Sequence, residues 1–244
     1  MSRALTPNPW QSLRQFTSAR IALGRAGGSA PTTEVLDFQL AHARARDAVH
    51  LAFDADGIEA ALTAAGLASV RVHSRAADRG QYLQRPDLGR RLSADSRMAL
   101  GVYAGQHDAV FVIADGLSAL AVHAHAVAVL RLTHQALATE GWRIAPVVIA
   151  SQSRVALGDE IGEVLGAPQT AILIGERPGL SAADSLGIYL TYGPRVGRVD
   201  AERNCLSNIR PEGLSYEDAS AQLIRLMLAA RRAGQTGVGL KVEP

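Results

Sequence analysis

Three polar segments follow apolar runs, and each carries side chains able to recognise a ligand. Asp115-Gly116-Leu117-Ser118 follows Ala109–Ala114, and Ser151-Gln152-Ser153-Arg154-Val155 follows Pro146–Ala150. Gly175-Glu176-Arg177-Pro178-Gly179 follows Ala171–Ile174. If the apolar runs are neighbouring parallel strands, these segments lie side by side at their carboxyl ends, where open parallel sheets bind ligands. Glycine there permits the turn and lets a ligand approach backbone amides. Any βα connection needs turn residues and a helix cap, so one such segment alone is equally an ordinary turn. Three together, with charges in them, predict a binding rim.

Within that rim Glu176 is the most informative charge, because it emerges directly from a buried strand. Two readings stand: an ion pair with the adjacent Arg177, or an acceptor for ligand amide or hydroxyl groups. Cys205, in the segment Cys205-Leu206-Ser207-Asn208-Ile209, reads as a small buried apolar residue. No neighbouring His or metal partner in sequence argues for a nucleophile. His123 and His125 sit two apart in an apolar helical run, hence on different helix faces, which does not suit a metal pair. No metal site and no catalytic residue is expected in this chain. No G-x-G-x-x-G, phosphate loop or nucleophile elbow occurs. Gly24-Arg25-Ala26-Gly27-Gly28 follows a helix-like segment and reads as a helix stop rather than a phosphate site.

The elements that must position these residues alternate. Short apolar runs without polar interruption are strands buried on both faces, and alternation with helices means a parallel sheet. Strands are expected at Val70–His73, at the three runs above and at Leu186–Tyr192. Helices are expected at about Ile58–Leu67 (stopped by Gly66), Ser93–Ala104, Ser118–Thr139, Asp159–Leu165 and Tyr216–Gly234. The fold class is therefore α/β, a Rossmann-like, mostly parallel sheet flanked by helices, with an N-terminal helical extension. We divide the chain into that extension, residues 1–68, and the Rossmann-like domain, residues 69–244. In the extension, Thr32 or Thr33 is expected to cap a helix to about Ala52 whose apolar stripe begins with Val35, Leu36, Phe38, Leu40 and Ala41. Before it, Asn8-Pro9-Trp10 with Leu13, Phe16, Ala19 and Leu23 predicts a capped helix with a buried face. The first 33 residues carry Arg3, Arg14, Arg20 and Arg25 and no acid. This basic segment is read as a docking arm.

Composition bounds the function. Of 244 residues 48% are hydrophobic, so the chain can bury a core without disulfides or metals. Cys205 is the only cysteine; this excludes an intrachain disulfide and an all-cysteine zinc site, and suits a reducing compartment. Twenty-five Lys+Arg against 23 Asp+Glu give +2, too small an excess to imply nucleic acid. Lys241 is the only lysine, so the positive charge is nearly all arginine, through coding bias or through arginine forks at an interface. No apolar run reaches the ~18 residues of a membrane span, and no secretory signal is visible.

Several strings carry a resemblance. They are Thr17–Gly27, Tyr82–Leu92, Ala114–Ser118, Asp159–Gly166, Ile174–Leu180 and Glu202–Ile209, in order along nearly the whole chain. With them the sequence closely resembles the small (light) subunit of ethanolamine ammonia-lyase, an adenosylcobalamin-dependent enzyme converting ethanolamine to acetaldehyde and ammonia. The resemblance implies a carbon–nitrogen lyase working as a heteromer. A large TIM-barrel subunit would hold the substrate and the radical chemistry, and this chain would help bind adenosylcobalamin at the interface between them. It places cofactor contacts on Val155, Glu176 and Cys205. Val155 and Glu176 lie on the rim; Cys205 does not, and rests on the resemblance alone. No Asp-x-His-x-x-Gly occurs, which argues against a histidine of this chain replacing the cofactor's own base on cobalt. Cytoplasm is the expected location, with a bacterial microcompartment as the alternative: several members carry a longer N-terminal extension associated with packaging, whereas this sequence starts almost at the shared core. Two other classes are kept: a stand-alone Rossmann-like enzyme acting on a nucleotide or small metabolite, and a purely structural interaction module.

Overall fold

The computed structural model describes residues 5–241; Arg3 lies outside them. Helices α1 (Thr32–His50) and α2 (Ala55–Ala64) precede strand β1 (Ser69–His73). Then come α3 (Arg79–Gln84), α4 (Ala94–Gly101), β2 (Val110–Ala114), α5 (Ala119–Ala121), a π turn (Val122–Ala126) and α6 (Val127–Thr139). After β3 (Val147–Ser151) follow α7 (Leu157–Leu165), β4 (Gln169–Gly175), β5 (Leu186–Tyr192), β6 (Arg203–Ile209) and α8 (Tyr216–Ala233). The six strands form one sheet in the order β1-β3-β2-β4-β5-β6. The first four are mutually parallel; β5 runs antiparallel to β4, and β6 antiparallel to β5. The architecture is the Rossmann-like α/β fold expected.

Burial explains the unbroken apolar runs. Every residue of β2 and β4 is buried, because helices cover both faces. On one face Phe111, Ile113, Val147, Ile149 and Leu173 pack with Ile58 and Leu62 of α2, Leu130 and Leu137 of α6, and Leu223 and Met227 of α8. On the other, Val110, Val112, Val148, Ala150 and Ile172 pack with Leu100 of α4 and Leu157, Ile161 and Leu165 of α7. Residues alternate between these two cores along each strand, as strand geometry requires.

Helix ends fall where cap chemistry puts them. Asp54, Asp78, Ser93, Ser118 and Ser215 each accept a backbone N–H of the first turn of the helix they precede. Gly166 and Gly234 close α7 and α8 in the left-handed conformation. The Ser215 hydroxyl accepts the Asp218 N–H at 3.1 Å. Ser215→Ala is expected to cost about 1 kcal/mol of stability, seen as a lower urea midpoint with an unchanged slope.

The extension departs from expectation. Residues Gln11–Phe16 form only a 3₁₀ turn with no buried residue, and Trp10 and Phe16 are 66% and 78% exposed. The Thr17 hydroxyl accepts the Ala19 N–H at 3.1 Å, and Thr17 itself is extended. Such local side-chain bonds compete with helix propagation. The arm folds back on itself instead, through an antiparallel bridge between Thr6 and Arg25. Helix α1 starts at Thr32, but its cap position is Pro31 and no side chain caps it. Its supposed stripe does not form: Val35, Leu36, Phe38 and Leu40 are exposed, and only Ala41 and Ala48 are buried. At ~100° per residue those four spread over more than half the helix circumference, too wide for one contact face.

Candidate functional site

The strand order reverses at β2. The chain leaves β2 for β3 on one side, then crosses to β4 on the other, so α6 and α7 cover opposite faces. That reversal opens a crevice at the carboxyl ends of β2, β3 and β4, where doubly wound sheets bind ligands. A groove of about 380 Å³ lies there, lined among others by Tyr82, Leu117, Arg154, Val155, Glu176 and Tyr189. Val155 and Glu176, two of the three residues picked out from sequence, therefore share one groove.

Loop chemistry fixes the rim. Asp115, 2% exposed, accepts the N–H groups of Gly116, Gln152 and Ser153 at 2.8–2.9 Å and faces Arg79 at 3.6 Å. It holds Gln152 at a positive φ of 54° and so shapes the turn carrying Arg154 and Val155. Burial drives the Asp115 carboxyl pKa upward, against the lowering effect of those N–H groups and of Arg79. Asp115 thus serves the rim's own backbone. The loop after β2 lies directly on the end of β4: the Leu117 N–H donates to the Gly175 carbonyl at 2.9 Å. A Cβ on Gly175 would meet the Ser118 carbonyl oxygen at 2.0 Å.

Tyr82 forms the floor. Its hydroxyl donates to the Ser153 carbonyl at 3.2 Å, and burial raises its pKa well above the ordinary phenol range. The guanidinium groups of Arg154 and Arg79 lie 4.1 and 4.6 Å from its ring centroid. Buried Glu160 on α7 anchors the segment that follows, accepting Arg91 at 3.0 Å, the Leu92 N–H at 2.9 Å and Arg97 at 2.7 Å.

Glu176 does not pair with Arg177; among the described residues it has no ion-pair partner. Half-buried, it accepts the Ser185 hydroxyl, the Ser207 hydroxyl at 2.6 Å and the Asn208 N–H at 3.3 Å.

Cys205 is exposed, not the buried apolar residue its type suggested. It sits on the edge strand β6, and its register partner is Tyr189, which lines the groove. As expected, Cys205 is not itself on the rim; β6 returns beside β5 and places it next to Tyr189, on the groove's flank. Desolvation raises the Cys205 pKa, partly offset by Tyr189, and the Glu176 charge adds to the rise. A neutral thiol is a soft packing group rather than a nucleophile. Ser185, Tyr189 and Ser207 escaped the sequence reading. The only available signal was the position of Ser207 inside the string containing Cys205.

The two histidines serve different partners. The His123 ring accepts the Asp54 N–H at 2.9 Å and stacks on Phe53; His125 is buried, 2.7 Å from the Tyr216 hydroxyl. Among the described residues no cluster of His, Cys, Asp and Glu could hold a metal ion.

The sequence model of the ethanolamine ammonia-lyase light chain matches residues 7–241. An ethanolamine ammonia-lyase small subunit of Ralstonia nicotianae is 56% identical over 241 residues, 97% of this chain and 89% of that protein. Small subunits from Pseudomonas fluorescens and Xanthomonas campestris pv. campestris are each 57% identical, covering 97% and 100% of this chain and 88% and 92% of their own lengths.

Proposed function

From the premise that the chain belongs to the ethanolamine ammonia-lyase light-chain family, we propose that it helps bind adenosylcobalamin at an interface with a large catalytic subunit. Its enzyme would convert ethanolamine to acetaldehyde and ammonia. The observation that carries this reading is the groove at the switch in strand order, with Val155 and Glu176 in its walls and Cys205 on its flank through Tyr189.

The residues present fit a corrinoid, which has apolar ring faces and an edge of amide arms. Leu117, Val155 and Ile174 offer apolar contact to a ring face, and Glu176 offers an acceptor to amide N–H. Arg154 lines the groove as well, its guanidinium held over the Tyr82 ring. When bound, the cofactor supplies cleavage of its cobalt–carbon bond, the hard step of the chemistry. This chain's residues bind its edge, orient it and keep water from one side. A groove of about 380 Å³ holds an edge of such a molecule, not all of it, so a second surface has to cover the rest. That need, together with the "small subunit" in the relatives' names, supports a large-subunit partner. No helix of the described residues is long and apolar enough to cross a membrane. The single free cysteine suits a reducing cytoplasm, with a bacterial microcompartment as the alternative.

Reconstitution tests the proposal. The chain alone is expected to release no ammonia from ethanolamine with adenosylcobalamin; adding the large subunit restores turnover. Turnover by the chain alone would favour the stand-alone enzyme instead, and failure of the two chains to form an active complex sinks the proposal.

A further inference from the structure

We propose that Ser185, Ser207 and the Asn208 backbone N–H are positioning groups for Glu176, fixing its carboxylate on the rim with one acceptor site left for a ligand amide. The inference rests on the reading of Glu176 as a cofactor contact. An ionised carboxylate offers about four acceptor sites. On Oε2, two are taken, by the Ser185 hydroxyl and the Asn208 N–H; on Oε1, one is taken, by the Ser207 hydroxyl. The open site is therefore the second one on Oε1.

Independent features of the fold converge on this one side chain. Gly187 lies beneath it, and a Cβ there would stand 2.9 Å from Oε1 and 3.1 Å from Cγ. Opposite Gly187 the β5–β6 ladder breaks: Leu186 pairs with Ile209 and Ile188 with Leu206, so Ser207 and Asn208 together face one residue. Such a bulge re-aims side chains and frees backbone groups, often beside a site. Here it sends the Ser207 hydroxyl and the Asn208 N–H to Glu176, and Asn208 adopts a φ of +59° to do so. Ser185, at the entry to β5, supplies the third donor from the other side. The donors come from two segments far apart in sequence, which is how a side chain is held within the narrow tolerance that recognition requires.

The test uses the assembled two-subunit enzyme and cyanocobalamin as probe, with affinity measured by equilibrium dialysis and assembly by gel filtration. Ser207→Ala is expected to weaken cyanocobalamin binding about fivefold. Ser185→Ala with Ser207→Ala should approach the loss seen in Glu176→Ala, with assembly intact. Ser207→Thr, which keeps the hydroxyl, should restore affinity to within about twofold of the unmodified protein. Loss of affinity not rescued by threonine would overturn the proposal. So would normal affinity of the serine variants alongside weak binding by Glu176→Ala, while leaving Glu176 as a contact. Normal binding by Glu176→Ala as well would remove the reading of the rim itself. Should the double variant not assemble, Ser207→Ala and Ser207→Thr decide alone, because Ser207 is exposed and its loss leaves no buried group unpaired.

Discussion

Glu176→Ala in the two-subunit complex is expected to lower cobalamin affinity by about tenfold to a hundredfold, with the complex still assembled. A hydrogen bond to a charged group contributes roughly 1.5–3 kcal/mol, and each 1.4 kcal/mol is about tenfold in Kd. The loss should appear in binding rather than in folding. Glu176 is half-buried and makes no ion pair among the described residues. Without it the exposed Ser207 hydroxyl and the N–H of exposed Asn208 can turn to water, and only the buried Ser185 hydroxyl is left without its partner, a cost of about 1–3 kcal/mol that the assembled complex should withstand. Glu176→Gln should fall between the two proteins. Its amide keeps one acceptor oxygen, but its NH₂ faces donors that a carboxylate would have accepted. Equilibrium dialysis with cyanocobalamin separates the outcomes, and affinity within about twofold for Glu176→Ala would remove Glu176 from the cofactor site. Val155→Ala makes a useful contrast. It removes apolar contact without touching any polar partner, so a smaller loss is expected.

How far the sequence carried depends on the physics behind each element. The parallel half of the sheet was legible because β2, β3 and β4 are buried on both faces, and such strands read as unbroken apolar runs. The rim followed from those strand ends, because polar, glycine-bearing segments after parallel strands must lie along one edge. The edge strand β6 was not legible. Its burial alternates irregularly across Arg203–Ile209, since one face meets the core at Leu206 and the other is partly bare at Cys205. Without β6 nothing placed Cys205 beside the groove, and nothing showed that Ser207 and Asn208 would reach Glu176. Of the two readings open for Glu176, the ion pair with the sequence neighbour Arg177 does not form, and hydroxyls from elsewhere in the chain bond it instead. Neutral donors carry no charge pattern by which a sequence reading could find them. The arm failed for a related reason. Leu13 and Phe16 have helical spacing, but no element of the described chain lies over them, so periodicity there reports no internal packing.

Gly175→Val is expected to destabilise the protein by about 4 kcal/mol or more, enough to keep most of it from the soluble fraction. The argument begins with the close approach at the switch in strand order. A Cβ at residue 175 would stand 2.0 Å from the Ser118 carbonyl oxygen, 2.6 Å from its carbon and 2.8 Å from the Asp115 carbonyl oxygen. All three are backbone atoms, so no side-chain rotation relieves the clash. Moving them means moving the loop after β2, which is tied down on several sides. The Ser118 hydroxyl donates to the Ala183 carbonyl at 2.8 Å and caps α5, and Asp115 holds the turn after β3 through the Gln152 and Ser153 N–H groups. Overpacking alone costs about 1–3 kcal/mol; losing buried backbone and carboxylate hydrogen bonds adds roughly 1–3 kcal/mol for each group left unpaired. Gly179→Ala, in the same loop, is the matched control. Its Cβ would find only Ala182, the carbonyl oxygen at 3.5 Å and the nitrogen at 3.8 Å, both ordinary contacts, so its urea midpoint should stay close to that of the unmodified chain. A Gly175→Val protein as stable as the Gly179→Ala protein would mean that the β2 loop does not rest on β4, and the groove would lose the wall that holds Glu176.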